Sequence, residues 1–352
     1  MLLEGIFAPV TTPFYADERV YFKKIEANMA RYSRSLLAGM VVLGSTGEAV
    51  ALNDEETRDV LRVSAEATAP EKVLIAGVGR ESVHATLELA EFAARLNYDA
   101  ILVRPPSYYG GQVSPDAVLH YFRTLADRSP LPVVIYYIPK FVPCEMPVGL
   151  LAELARHPNI IGTKDSSGNV GRIRETVIAT NSAPRRTVPV TQVFEAATIR
   201  MMLAPPNDST STFVRVSDLA GGAAVAAAPP AVAVKTRTRE VGFQVLTGSE
   251  RSILGALEAG ASGAIVAFAT FAPQATQEVY LAWKDHDLKL AEEQQERIRA
   301  AGTGIVGAMG LAGIKHACDF NGYYGGRPRS PILPLTAEQK AEVEGLLVEI
   351  RN

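Results

Sequence analysis

Short runs of consecutive apolar residues alternate along this chain with longer stretches in which apolar positions recur every three or four residues. The first pattern predicts strands buried on both faces, and the second predicts amphipathic helices. The candidate strands are residues 6–10, 39–43, 73–78, 100–103, 133–136, 160–163, 243–247 and 263–267. Helical periodicity lies between them, as at 54–67, 83–96, 115–127 and 148–156. The first six runs begin about 30 residues apart, which suits strand–helix units joined in parallel. Eight such strands in alternation predict an α/β fold, a (β/α)8 TIM barrel. A doubly wound open sheet is the rival architecture, but no G-x-G-x-x-G follows the first strand.

After Pro273 the periodicity is helical to the end, with candidates at 274–284, 287–300 and 336–349. Thr336 followed by Gln339 has the spacing of a capping box. The expected organisation is a barrel over 1–273 and a helical C-terminal extension over 274–352. One interval is too long. About 80 residues separate the sixth strand from the seventh, roughly 50 more than a strand–helix unit needs. The excess, 181–242, is rich in Ala, Pro, Thr and Arg. It reads as a partly disordered insertion, with a small added subdomain used in assembly as the alternative. It follows a helix and precedes a strand, so it belongs on the barrel face opposite the catalytic loops.

Composition narrows the function classes. A net charge of −3 gives no electrostatic footprint for nucleic acid. Cys144 and Cys318 are the two cysteines, which excludes a disulfide framework and zinc-ligand spacing and suits a reducing cytoplasm. The first residues lack the basic and apolar regions of a signal peptide. No apolar run is long enough to suggest a membrane span. The five histidines, at 84, 120, 157, 286 and 316, show no metal-ligand spacing, so no metal is expected.

Four segments just after predicted strands carry chemistry, because barrel enzymes place their sites at those strand ends. Lys164 ends the run Ile160-Ile161-Gly162-Thr163 and is followed by Asp165-Ser166-Ser167-Gly168. Lysine is ordinarily a solvated surface charge. A lysine held at the desolvated rim of a core favours its neutral form, and a neutral amine can attack a ketone to form a Schiff base. Gly44-Ser45-Thr46-Gly47-Glu48 offers two hydroxyls and backbone N–H groups in a tight turn, a pocket for a carboxylate. A plain turn with a capping residue would look the same. Tyr136, in Ile135-Tyr136-Tyr137-Ile138-Pro139, ends a buried strand and needs a partner for its hydroxyl at the barrel mouth. Tyr108 and Tyr109, in Pro105-Pro106-Ser107-Tyr108-Tyr109, are packing residues or phenols placed to relay protons. Glu48 and Asp165 are expected to cap or pair locally.

Together these segments resemble the pyruvate-dependent class I lyases, a family that includes dihydrodipicolinate synthase, N-acetylneuraminate lyase and 4-hydroxy-2-oxoglutarate aldolase. The resemblance begins at Gly5-Ile6-Phe7-Ala8-Pro9-Val10-Thr11-Thr12-Pro13-Phe14 and continues to the C-terminus, apart from 181–242. It implies a Schiff base on Lys164 with pyruvate or another 2-oxo acid, and Tyr136 as proton shuttle. It implies that Ser45 and Thr46, with Gly47 and Ser166, bind the substrate. Tyr109, or else Tyr108, matches a tyrosine that reaches into a partner subunit, so a homo-oligomer, a dimer or tetramer, is implied. No organic cofactor is implied, since the iminium is its own electron sink. The expected reaction is cleavage of a 4-hydroxy-2-oxo acid to pyruvate and an aldehyde. The alternatives are a synthase-type condensation, a sugar-acid lyase or dehydratase, and a non-catalytic 2-oxo-acid binding protein. The synthase branch carries an arginine two residues after the motif proline; here Phe141 stands there, preceded by Lys140. Ser107-Tyr108-Tyr109-Gly110-Gly111-Gln112-Val113-Ser114 and Gly313-Ile314-Lys315-His316 look more like the hydroxy-oxoglutarate aldolase branch. The second of these segments is expected to pack the tail on the barrel.

Overall fold

The computed structural model of the chain describes residues 1–203 and 235–350. Eight parallel strands close into a barrel in which the first six are neighbours in chain order, the sixth is followed by the strand at Gln244–Thr247 and then the one at Gly263–Ile265, and this last closes on the first. In chain order the barrel strands are β1 (Gly5–Pro9), β2 (Gly39–Val42), β3 (Val73–Gly77), β4 (Ala100–Val103), β5 (Val133–Tyr137) and β6 (Ile160–Asp165). After an excursion come β9 (Gln244–Thr247) and β10 (Gly263–Ile265). These eight occupy the eight apolar runs of the sequence. The strands are buried almost throughout, with Leu74, Ile75, Ile101, Val133, Val134 and Ile160 fully so. Burial on both faces is why no polar–apolar alternation marks them.

Close strand approach also uses glycine. A Cβ on Gly162 of β6 would fall 2.3 Å from the Gln244 carbonyl oxygen of β9. Only a residue without a side chain permits that register, which sets Lys164 opposite Leu246.

The excursion between β6 and β9 contains an antiparallel ribbon, β7 (Arg186–Thr191) paired with β8 (Thr236–Val241). Residues 204–234, half of the expected insertion, lie outside the described residues, and the disorder expected there lies outside them too. The described part packs against the N-terminal ends of barrel strands. Arg186 donates to the Ile160 and Ile161 carbonyls at 3.2 Å each. Arg239 pairs with Glu4, and the Ile199 N–H donates to Asp99. The ribbon's Val188, Val190 and Val241 bury a small core with Leu2.

The tail wraps the barrel with helices Pro273–Lys284, Leu288–Ala301, Gly310–Phe320 and Ala337–Leu346. Thr336 and Gln339 make the capping box in front of the last. A π-helical turn, Gly302–Ala308, runs on from the second of these helices. Sequence periodicity missed this turn and the helix after it, because five glycines between 302 and 313 break the pattern. Lys315 ties the tail down. It is fully buried and donates to the Thr12 carbonyl at 2.9 Å, the Arg327 carbonyl at 2.7 Å and the Glu48 carboxylate. No helix among the described residues is long and apolar enough to cross a membrane.

Candidate active site

Strand register assembles the site. Tyr136 of β5 and Lys164 of β6 are neighbours across the parallel ladder, so their side chains rise together at the C-terminal mouth. Lys164 is 4% exposed and Tyr136 6%. The lysine Nζ lies 4.2 Å from the tyrosine ring centroid. The Tyr136 hydroxyl is 3.4 Å from Ser45 Oγ, in the turn after β2. Three elements distant in sequence thus converge on one amine, one phenol and one hydroxyl.

The convergence lines a cavity of about 540 Å3 that contains Ser45, Thr46, Tyr136, Lys164 and Ser166. Gly47 does not line it. Its N–H donates back to the Gly44 carbonyl at 3.0 Å, and its own carbonyl accepts from Thr12 Oγ1 at 2.6 Å. Gly47 therefore shapes the turn and is not a donor to a ligand. Ser45 and Thr46 open the 3-10 turn, so their N–H groups have no acceptor within it.

The two acids act locally. Glu48 is buried in the left-handed region at φ 54° and holds Lys315 and the Arg329 N–H. Asp165 accepts from Ser167 N at 2.8 Å and from Arg172 Nε at 2.8 Å, which fixes the loop after Lys164.

Tyr109 is not brought to the site of its own chain. It is 62% exposed, beside Tyr108 at 81%, with the two rings edge to face. Their loop is pinned from behind by Glu81, which accepts from Ser107 N and Tyr108 N at 2.8 and 2.9 Å. Burial raises the Glu81 pKa, but those two N–H groups and Arg104 outweigh it and bring it down to about 2.

Two site residues escaped the sequence. Gly248, just after β9, faces Lys164: a Cβ there would fall 1.9 Å from Ser166 Oγ and 3.1 Å from the Lys164 Cε. Glu250 lines the same cavity and is buried. Burial pushes its pKa up, against the opposing charges of Arg251, Lys140 and Lys164. A glycine directly after a strand end was the available signal for Gly248; nothing in the local pattern marked Glu250.

A second cavity of about 670 Å3 adjoins the first across Ser45 and Tyr136. Apolar residues dominate its lining, with Arg80, Arg104 and Arg329 at its edges.

The model of the dihydrodipicolinate synthetase family matches residues 2–184 and 223–350. The L-threo-3-deoxy-hexylosonate aldolase of Hypocrea jecorina is 28% identical over 349 residues, 97% of this chain and 93% of that protein. The probable mitochondrial 4-hydroxy-2-oxoglutarate aldolase of Emericella nidulans is 38% identical over 181 residues, 50% of this chain and 59% of that protein. Among solved structures, YagE, an E. coli K12 prophage protein of the dihydrodipicolinic acid synthase family crystallised with pyruvate, superposes with a TM-score of 0.77. It is 24% identical and covered over 99% of each chain, a likeness of fold.

Proposed function

The chain belongs to the dihydrodipicolinate synthetase family, and on that footing we propose that it is a class I aldolase, a carbon–carbon lyase that cleaves a 4-hydroxy-2-oxo acid to pyruvate and an aldehyde. The observation that carries this reading is the buried Lys164 amine beside Tyr136 in a cavity that also presents Ser45 and Thr46. Ser45 and Thr46 hold the substrate carboxylate, and Ser166 contributes a hydroxyl from the far side. Lys164 attacks the C2 carbonyl, and loss of water gives an iminium. Tyr136 takes the proton of the C4 hydroxyl, with Ser45 within 3.4 Å of its phenol to relay it. The C3–C4 bond breaks, the aldehyde leaves, and the electron pair moves into the iminium as an enamine. Protonation at C3 and hydrolysis then release pyruvate and restore the amine.

We also read the second cavity as a socket for Tyr109 of a second copy. The support is a tyrosine pair held outward on a pinned loop and a largely apolar hollow that ends at Tyr136 and Ser45. The enzyme in this reading is a homo-oligomer whose site is completed in trans. Two free, buried cysteines suit a reducing cytoplasm. Phe141 argues against the synthase-type alternative, since a phenyl ring cannot grip a second substrate's carboxylate as a guanidinium does.

Incubation with pyruvate and borohydride, followed by intact-protein mass spectrometry, tests the proposal. A reduced adduct on the wild type and none on Lys164→Ala is expected. No adduct on the wild type, or an equal adduct on both, overturns it.

A further inference from the structure

Behind the reactive pair lies a second pair. Tyr137 and Asp165 are the next neighbours across the β5–β6 ladder after Tyr136 and Lys164, and the ladder ends with them. Successive side chains of a strand point to opposite faces. Tyr136 and Lys164 face the cavity, so Tyr137 and Asp165 face the helices outside the barrel. There both meet Arg172, in the first turn of the helix Val170–Thr180. Its Nε donates to the Asp165 carboxylate at 2.8 Å, and its guanidinium carbon stands 4.2 Å from the Tyr137 ring centroid.

Arg172 reaches a third segment as well. Its Nη2 donates to the carbonyl of Met146, which is buried. Met146 lies in the loop after β5, whose Ile138, Lys140 and Phe141 line the Lys164 cavity. One guanidinium thus holds the end of β5, the end of β6 and the loop that follows β5. The fit uses what is peculiar to arginine: a flat face for the ring, and N–H groups that diverge in one plane toward two acceptors. Both ends of the grip are fixed. The Arg172 N–H donates to the N-cap Asn169 at 3.0 Å. Asp165 is buried and takes the Ser167 N–H with its other oxygen.

Two strand ends separate most easily where their ladder runs out. Resting on the aldolase reading above, we propose that Arg172 is a positioning residue for the reaction: it pins the Tyr137–Asp165 pair from the outer face and so sets the separation of the Tyr136 phenol and the Lys164 amine on the inner face. Arg172 acts only through these partners. Its effect falls on proton transfer between the lysine-bound substrate and Tyr136, which needs both groups in place. Attack on the C2 carbonyl needs the lysine alone and is affected less.

The test uses pyruvate alone and reads two steps. Borohydride trapping at saturating pyruvate reports the iminium. Exchange of the pyruvate C3 hydrogens for deuterium in D2O, followed by NMR, reports the proton transfer between iminium and enamine that Tyr136 is placed to carry. Arg172→Met is expected to keep the adduct within about twofold and to lose exchange by about 10–100-fold. Arg172→Lys can pair with Asp165 but cannot also lie flat on Tyr137 and reach Met146, so it is expected to recover part of the loss and no more. Tyr137→Leu removes the stack and leaves the Arg172–Asp165 pair, and the same selective loss is expected there if Arg172→Met folds poorly. Unchanged exchange, equal loss of adduct and exchange in variants that fold, full recovery in Arg172→Lys, or a wild type that forms the adduct without exchange overturns the proposal. Each of these leaves the aldolase reading intact as long as the wild type gives the adduct; absence of that adduct removes both.

Discussion

Replacing Lys315 with methionine removes the knot between tail and barrel while keeping most of the side chain's volume. The ammonium has three N–H groups and faces three acceptors: the Glu48 carboxylate, the Thr12 carbonyl at 2.9 Å and the Arg327 carbonyl at 2.7 Å. Burial pushes the Lys315 pKa down, and the Glu48 charge opposes it. Three acceptors around one nitrogen are satisfied by the charged form. Methionine leaves a buried carboxylate without its counter-charge, which costs about 3–5 kcal/mol, and two carbonyls without donors. Against a typical total of about 5–15 kcal/mol the loss is a large fraction of stability. Urea unfolding should show it as a lower midpoint at unchanged slope. Glu48→Gln removes the stranded charge, so the double variant should lose clearly less than the two single losses added together. The activity readout is KM for the 2-oxo acid. Glu48 directly follows the Ser45–Gly47 turn, so a loosened Glu48 blurs the carboxylate pocket while the Lys164–Tyr136 pair stays in register. A loss below about 1 kcal/mol, or strict additivity in the double variant, would refute the reasoning.

Tyr136→Phe should retain the pyruvate–borohydride adduct and lose cleavage by about 10²–10⁴-fold, the range of a general acid–base group; equal loss of adduct and cleavage would instead mean a role in forming the iminium. Gly248→Ala pushes against Ser166 and the Lys164 stem, and rapid-quench trapping should show adduct formation slowed about 10–100-fold. An unchanged rate would show that the lysine has slack. The Glu81 pKa is depressed from 4.5 to about 2, so its contribution is complete above pH 4.5 and is lost as pH falls through 2. Glu81 is 41% exposed, and screening reduces that contribution to about 1 kcal/mol. Protection factors at Ser107 and Tyr108, the exchange rates taken relative to the intrinsic rate at each pH, should fall across that window in the wild type, and Glu81→Gln should show the lower protection already at pH 7.

What could be read from sequence follows how local each signal is. The barrel strands are continuous apolar runs because helices or core cover both faces, and that burial leaves its mark on each run separately. Lys164 and Tyr136 were legible because each ends such a run, and strand ends are where a barrel gathers its chemistry. Gly248 and Glu250 follow β9, whose partnership with β6 bridges about 80 residues of excursion. Their meeting with Lys164 is a fact of register, which no local pattern encodes. Gly47 illustrates the converse. The local motif marked it as a substrate-binding position, but the turn's own hydrogen bond, to Gly44, takes its N–H.

The same geometry explains how the barrel accommodates so long an excursion directly after the strand that carries Lys164. The ribbon β7–β8 sits at the strands' N-terminal ends, and Arg186 holds it to the carbonyls of Ile160 and Ile161 at the foot of β6. Lys164 lies at the other end of that strand, beyond Gly162, where β6 meets β9 too closely for any side chain. The strand is clamped at its foot by the ribbon and along its length by β5 and β9. Variation in the excursion therefore reaches Lys164 only through a strand that has no room to shift register. Lys164 and the excursion occupy opposite ends of one element, and the glycine between them is what keeps the two independent.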